Sequence, residues 1–114
     1  MKAIVEVSQP GNIFDEVLED FSNDGSDDFH LSFESARLMF TELTPARLDL
    51  LNTLRKVGPC SVYALAKAAD RNYSNVHSDV ARLLDLGLVE RKDDEAVFVP
   101  FDDVELHFHL AHAA

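Results

Sequence analysis

The segment between residues 71 and 82 is rich in side chains that can hydrogen-bond to nucleic acid: Arg71, Tyr73, Ser74, Asn75, His77, Ser78 and Arg82. Ser, Asn and Arg can bond to the edges of base pairs, and Arg can bind guanine through two parallel bonds. Arg, Tyr and His near the start of a helix can bond to phosphate oxygens. The types and spacing of these residues therefore indicate a polar surface suited to DNA.

A helix from about Tyr73 to Leu86 is predicted to carry these side chains. At about 100° per residue, its apolar stripe consists of Val76, Val80, Leu83 and Leu84. Opposite this stripe lie Ser74, Ser78, Ala81, Arg82 and Asp85, with Asn75 and His77 on the flanks. Residues near the N-terminus of such a helix usually contact the bases, which favours Asn75 and Ser78.

Two further helices and a hairpin surround that helix in the sequence. Thr44 and Pro45 are typical of a helix start, and Gly58–Pro59 ends a helix that runs from Ala46 to about Val57. Ser61 caps the second helix, and Gly87 ends the third. Residues 88–92 and 96–99 form two predicted strands around an acidic turn. This order predicts a winged helix-turn-helix, with Arg47, Lys56 and Lys67 as candidate DNA-backbone contacts from its scaffold helices.

The remaining residues predict additional strands and helices, so the fold class is α+β. Residues 1–43 read as an extension with strands at 2–7 and 29–33 and helices at about 13–21 and 35–43. Residues 44–99 form the winged helix-turn-helix, and residues 100–114 contain a last strand at 104–110 that is predicted to serve dimerisation. The first and last strands are expected to pair with each other or with a second protomer, which would suit a homodimer.

The net charge is −11 for 114 residues, which on its own argues against a nucleic-acid partner. The charge is unevenly distributed, because residues 1–43 sum to −8, residues 44–92 to +3 and residues 93–114 to −6. The basic block coincides with the predicted three-helix segment. The distribution therefore allows weak, salt-sensitive DNA binding and indicates two surfaces with different partners.

Several stretches resemble a family of small prokaryotic winged-helix regulators, loosely MarR-like. They are residues 43–51, Gly58–Pro59, residues 73–80 and residues 86–90, of which the pattern Tyr-x-Asn-Val-His-x-Asp-Val at Tyr73–Val80 is the most distinctive. The resemblance implies a dimeric DNA-binding antitoxin of the kind paired with TumE-type toxins, which represses its own operon and neutralises its toxin. Family members commonly carry a basic side chain where this chain has Ser74 and Ser78.

The acidic arms are the expected surface for such a toxin. RNA-cleaving toxins are usually basic, so an acidic surface can bind them by electrostatic complementarity. The candidate partner-binding residues lie on the predicted helix at 13–21: Asp15, Glu16, Glu19 and Asp20. The alternatives are that these acids only keep the protein soluble, and that the winged helix binds protein and no DNA.

No residue pattern predicts catalysis, a cofactor or a metal. The chain lacks a Ser/His/Asp set and a glycine-rich phosphate loop, and no Cys and no clear acidic fourth ligand is placed with the histidines near the C-terminus. A single cysteine, Cys60, excludes an intrachain disulfide. With no apolar run long enough to span a membrane, the expected location is the cytoplasm.

Overall fold

The computed structural model describes residues 1–8 and 28–110. The chain divides into two compact units. Unit 1 consists of Met1–Thr41 together with Asp102–Ala114, and unit 2 of Glu42–Phe101. The predicted acidic helix at 13–21, with Asp15, Glu16, Glu19 and Asp20, lies outside the described residues.

Unit 1 contains a parallel sheet in the order β2-β1-β5, formed by β1 (Lys2–Val7), β2 (Phe29–Phe33) and β5 (Asp103–His107). The strands predicted at 2–7 and 29–33 are confirmed. Ala3 and Val5 on the central strand are fully buried, and their register partners on β2 and β5 are also apolar. The helix α1 (Ala36–Glu42) follows β2, with Met39 buried.

The last strand is shorter than the sequence predicts. It ends at His107, whereas alternation in the sequence predicts a strand that continues to Leu110. β5 pairs with β1, and the register that ends at Glu6↔His107 leaves almost no further β1 residue to pair with. Of the two arrangements expected for the first and last strands, pairing with each other within one chain is the one observed.

Unit 2 contains the helices α2 (Pro45–Val57), α3 (Val62–Ala69) and α4 (Tyr73–Leu86). The first two begin at predicted caps: the Thr44 hydroxyl accepts from the Arg47 N–H at 3.2 Å, and the Ser61 hydroxyl accepts from the Ala64 N–H at 3.0 Å. Gly87 adopts φ 83° and ends α4, as expected for a left-handed C-cap.

The core of unit 2 is formed by the inward faces of these helices and the residues after α4. Fully buried side chains include Leu54 on α2, Leu65 on α3 and Val76 and Leu83 on α4. The predicted α4 stripe is therefore confirmed at its centre. On α2 the sequence spacing predicts that Leu48, Leu51 and Leu54 face inward. Leu51 and Leu54 are buried, but Leu48 is only half-buried and Leu50 is buried instead.

The wing is a hairpin of two very short strands, β3 (Glu90–Arg91) and β4 (Val97–Phe98). The sequence predicts longer strands, at 88–92 and 96–99. Leu88 instead donates its backbone N–H to the Leu83 carbonyl at 3.0 Å, so the end of α4 uses this residue as part of its cap. Backbone bonds between Cys60 and Val97 add a bridge to the hairpin. The α+β class and the winged helix-turn-helix order are confirmed.

Candidate nucleic-acid interface

α4 owes its position to a tight turn after α3. Asp70 adopts the left-handed conformation at φ 54°, and the chain then reverses direction. The Asn72 side-chain oxygen accepts from the backbone N–H groups of Ser74 and Asn75 at 2.8 and 3.3 Å, which starts α4 at Tyr73. The turn and cap together fix the direction in which the first turn of α4 leaves the scaffold.

The outer face of α4 is exposed, as predicted. Ser74, Asn75, His77 and Ser78 are all solvent-exposed, and opposite them Val76 and Val80 are buried. The Ser74, Asn75 and Ser78 side chains form no hydrogen bond within residues 1–8 and 28–110, so their donors and acceptors are available to an external partner.

One flank of α4 is occupied by an ion-pair network. Arg82 donates to both carboxylate oxygens of Glu42, from Nε to Oε2 and from Nη2 to Oε1 at 3.0 Å. Arg47 donates to Asp79 at 3.0 Å and to the Glu42 carbonyl at 2.8 Å, and Arg71 donates to Asp79 at 2.7 Å. Three arginines expected to contact DNA thus bind carboxylates of their own unit.

The network shifts the acidity of its members. The hydrogen bond from Arg82 holds the pKa of Glu42 below its usual value, and the same bond raises the pKa of Arg82. Burial acts to raise the pKa of Asp79, but hydrogen bonds from Arg71 and Arg47 outweigh it and leave that pKa lowered. Both carboxylates therefore stay ionised at neutral pH and keep their arginines paired.

The other flank of α4 carries a row of rings that crosses to α3. The Lys67 ammonium lies 4.8 Å from the centre of the Tyr63 ring. The Tyr63 and Tyr73 rings are 6.4 Å apart, and the Tyr73 and His77 rings 5.9 Å apart. We call these four residues the aromatic row. The sequence prediction included Lys67, Tyr73 and His77 but missed Tyr63, although its spacing of four from Lys67 places both on one helix face.

The wing contributes a cation to the same flank. Arg91 on β3 lines two shallow clefts with His77, one of about 310 Å³ that also includes Ala81 and Asp85, and one of about 340 Å³ that also includes Tyr63 and Tyr73. Sequence reasoning did not single out Arg91, because its proximity to α4 depends on how the hairpin folds back.

The overall charge of unit 2 is close to neutral. It contains eight basic and nine acidic side chains, since the unit includes Glu42 and the wing tip Asp93–Glu95. The cations beside the rings, Lys67 and Arg91, form no salt bridge within the described residues. Lys56 is also exposed, in the last turn of α2. Positive charge on this unit that is not balanced by a nearby carboxylate is therefore limited to a few local side chains.

Three further observations concern metal binding, thiol reactivity and membrane-spanning helices. The described residues contain no group of three His, Cys, Asp or Glu side chains suited to holding a metal ion. Burial raises the pKa of the Cys60 thiol, which lowers the fraction of reactive thiolate. Within residues 1–8 and 28–110, no helix has the length and apolar character to cross a membrane.

Comparison with known proteins gives two findings. The family model HVO_A0114 matches residues 42–106. The structure is also similar to the solution NMR structure of the homodimeric winged helix-turn-helix DNA-binding domain (fragment 1–100) of Mb0332 from Mycobacterium bovis, described as a possible ArsR-family transcriptional regulator. The identity is 19%, the alignment covers 81% of this chain and 74% of the other, and the TM-score is 0.48. No curated protein matches the sequence.

Proposed function

The chain belongs to the HVO_A0114 family, whose model spans more than half of it, and we propose that it is a DNA-binding transcriptional regulator. The observation that carries the proposal is the first half of α4, where Ser74, Asn75 and Ser78 are exposed and make no side-chain hydrogen bond within the described residues. A helix-turn-helix that presents free polar groups at this position is suited to a major groove.

The three polar side chains have distinct roles in this proposal. Asn75 can bond to adenine through two parallel hydrogen bonds, and the hydroxyls of Ser74 and Ser78 can bond to any base edge. Because hydroxyl contacts discriminate weakly among bases, Asn75 is the principal determinant of sequence preference. The Asn72 side chain caps the first turn of α4, so it helps to fix the direction in which these three side chains project.

Phosphate contacts are assigned to the cations and rings beside α4. Lys67, held against Tyr63, and Arg91 on the wing supply unpaired positive charge, and Tyr73 and His77 supply hydrogen-bond donors between them. Lys56 is a further candidate on α2. The Arg82 side chain is 42% exposed, so it can contact phosphate while it remains paired with Glu42.

Arg47 and Arg71 have a different place in the proposal. Both bind Asp79, a residue of α4 itself, and both are more buried than Arg82. Their direct contribution to phosphate binding is therefore small. They orient α4, and few of their nitrogens can contact DNA, because Arg47 Nη1 donates to the Glu42 carbonyl and Arg71 Nη1 is buried.

The near-neutral charge of unit 2 predicts weak binding by a single copy. Two copies on a two-fold symmetric operator would double the number of contacts, and for this reason we propose that the protein acts as a homodimer.

A narrower role as an antitoxin is also proposed, on the basis of the acidic composition of residues 1–43. In this role Asp15, Glu16, Glu19 and Asp20 bind a basic toxin, and DNA binding represses the operon of the pair. The test is co-purification with a small basic protein encoded by a neighbouring gene. Charge reversal at Glu16, Glu19 and Asp20 should abolish the complex, and an unchanged complex contradicts this surface.

A second candidate function is a winged helix that binds protein and no DNA. The observation in its favour is the wing tip Asp93–Glu95, whose three carboxylates would be repelled by phosphate. The two functions differ in one experiment. Fluorescence anisotropy is recorded with labelled DNA from upstream of the protein's own gene and with a scrambled duplex of equal length. Preferential binding of the upstream DNA supports the regulator, and no binding to either duplex at low salt supports the protein-binding module.

A further inference from the structure

β5 is an edge strand of the sheet in unit 1. The strand order is β2-β1-β5, so one side of the β5 backbone has no partner strand within the described residues. Such an edge exposes N–H and C=O groups that can pair with another chain, and proteins commonly protect edges with Lys, Pro or bulges. β5 has the sequence DVELH, so its charged side chains are those of Asp103 and Glu105, and it contains neither Lys nor Pro.

Apolar side chains continue along this strand and beyond it. Leu106 is 37% exposed, and after the strand Phe108 is 55% and Leu110 77% exposed. Their alternate spacing places them on one face of an extended segment, the face on which Val104 lies next to Ala3. These three side chains form an apolar strip along the strand at the open edge of the sheet and along the residues that follow it.

We propose that a second copy of the chain pairs with β5 in antiparallel fashion, about a two-fold axis at Leu106. The pairing joins two three-stranded sheets into one sheet of six strands. The proposal rests on the proposed homodimer and identifies its surface. The occupant is a second copy because a two-fold interface requires self-complementarity, and the sequence of this segment has that property.

The charges along the segment are self-complementary in this register. Asp103 and Glu105 precede His107 and His109, and all four lie on the face opposite the apolar strip. An axis at Leu106 sets Glu105 opposite His107 of the partner subunit and Asp103 opposite the partner's His109. An imidazole N–H can donate to a carboxylate in either protonation state of the ring.

The apolar residues match in the same register. Leu106 meets Leu106 of the partner subunit, and Val104 lies opposite the partner's Phe108. Phe108 and His109, which have no strand partner among the residues that the structure describes, gain one in the dimer. The pairing therefore explains why the alternation of the sequence continues beyond the end of β5 at His107.

Neighbouring registers are less favourable. An axis at Glu105 sets two glutamates directly opposite each other, and an axis at Val104 sets Asp103 opposite Glu105 of the partner subunit, twice. An axis at His107 keeps two of the four acid–imidazole pairs and sets two imidazoles together. If the axis lies between two residues, the pairing of the strands is displaced by an odd number of residues. Polar side chains then lie opposite apolar ones.

Groups of the same chain already contact this polar face. Lys2 Nζ lies 3.7 Å from Glu105, and Glu6, which is 3.9 Å from His30, is the register partner of His107 on β1. The His107 and His109 rings are 6.2 Å apart. A charge introduced at position 107 therefore acts on Glu6 as well as on the second copy, and the experiment must separate the two effects.

A charge exchange separates them. In His107→Glu, glutamate lies opposite Glu105 of the partner subunit, and we expect the dimer dissociation constant to rise by at least about tenfold. The double variant Glu105→His with His107→Glu keeps the clash with Glu6 but restores opposite pairs between subunits, so the dimer should recover. Sedimentation velocity of the full chain without DNA measures both, and circular dichroism verifies folding. Failure of the double variant to recover the dimer overturns the proposal.

Crosslinking tests the register independently. In a Cys60→Ser background, Leu106→Cys places two thiols opposite each other, within the Cα separation that a disulfide accepts. Glu105→Cys is the matched control, because its two copies are displaced by two residues. A disulfide dimer at position 106 and none at 105 supports the register. A monomeric chain overturns both this inference and the proposed homodimer, whereas a dimer that crosslinks only at 105 overturns the register alone. DNA binding is measured separately and is contradicted by neither result.

Discussion

Arg82 and Glu42 form a forked ion pair in which two guanidinium nitrogens donate to two carboxylate oxygens, one of them at 3.0 Å. Glu42 also accepts from Arg47, which in turn shares Asp79 with Arg71. Five alternating charges are thus connected along one flank of α4. Two parallel hydrogen bonds between a planar guanidinium and a planar carboxylate fix the relative orientation of the two side chains, which a single surface contact does not. We conclude that this network fixes the position of α4 on its scaffold.

Asp79 is the carboxylate whose loss should destabilise unit 2 most. In Asp79→Asn, the partly buried Arg47 and Arg71 lose their shared negative charge, and we expect the free energy of unfolding to fall by about 2 kcal/mol. Urea denaturation followed by circular dichroism measures the change. Asp85→Asn is the matched control, because Asp85 is exposed on the same helix and its ion pair with Arg82 is long at 3.9 Å. It should change the stability by less than about 0.5 kcal/mol. Equal effects in the two variants would contradict the role given to the network.

Acid should weaken the fold through the same carboxylates. The pKa values of Glu42 and Asp79 are lower in the folded protein than in the unfolded chain. Their stabilising contribution is complete above the unfolded values of about 4 and is lost as the pH falls through the folded values. The double variant Glu42→Gln with Asp79→Asn should therefore be less stable at neutral pH and lose less stability on acidification below about pH 4. Urea midpoints across a pH series test this, and parallel curves for the two proteins would contradict it.

The Asn72 cap should affect both stability and DNA affinity. In Asn72→Ala, the N–H groups of Ser74 and Asn75 lose their acceptor, which should cost about 1 kcal/mol of unfolding free energy. The first turn of α4 also frays, so DNA affinity should fall even under conditions where the protein remains folded. Asn72→Asp retains a capping oxygen and should retain the stability. If Asn72→Ala is as stable as wild type, the assigned cap is wrong.

Lys67 should contribute to the salt dependence of DNA binding. Lys67→Gln removes one phosphate contact, and the slope of log affinity against log salt should decrease by about 1. Arg37→Gln, which changes the charge equally on exposed α1 of unit 1, is the control and should leave the slope unchanged. The measurement is fluorescence anisotropy at several salt concentrations. An equal change in both variants would assign the effect to net charge and would remove Lys67 from the interface.

Local signals in the sequence predicted most of the winged helix. Thr44, Ser61 and Gly87 act within one or two turns of their own position, so caps and helix bounds follow from the residues nearby. The exposed face of α4 is predicted in the same way, because the spacing of the apolar residues Val76 and Val80 indicates which side of the helix is buried. These features depend on short-range geometry that the sequence encodes directly.

Long-range pairing was harder to predict. Glu42 and Arg82 are separated by 40 residues, and nothing local indicates that the arginine binds this carboxylate. The sequence therefore suggested free arginines on a basic segment. Tyr63 and Arg91 were missed for the same reason, because their proximity to His77 arises only when α3, α4 and the wing pack together.

The most direct test of DNA binding by α4 combines the upstream DNA of the gene with the variant Ser78→Asp. Ser78 is exposed on the outer face of α4 and its side chain makes no hydrogen bond in the described residues, so a carboxylate there should leave the fold intact. It would face phosphate and base edges, and affinity should fall by at least about tenfold. Arg37→Gln, with the same change in net charge, should bind like wild type. Unchanged binding by folded Ser78→Asp would contradict the entry of α4 into the groove.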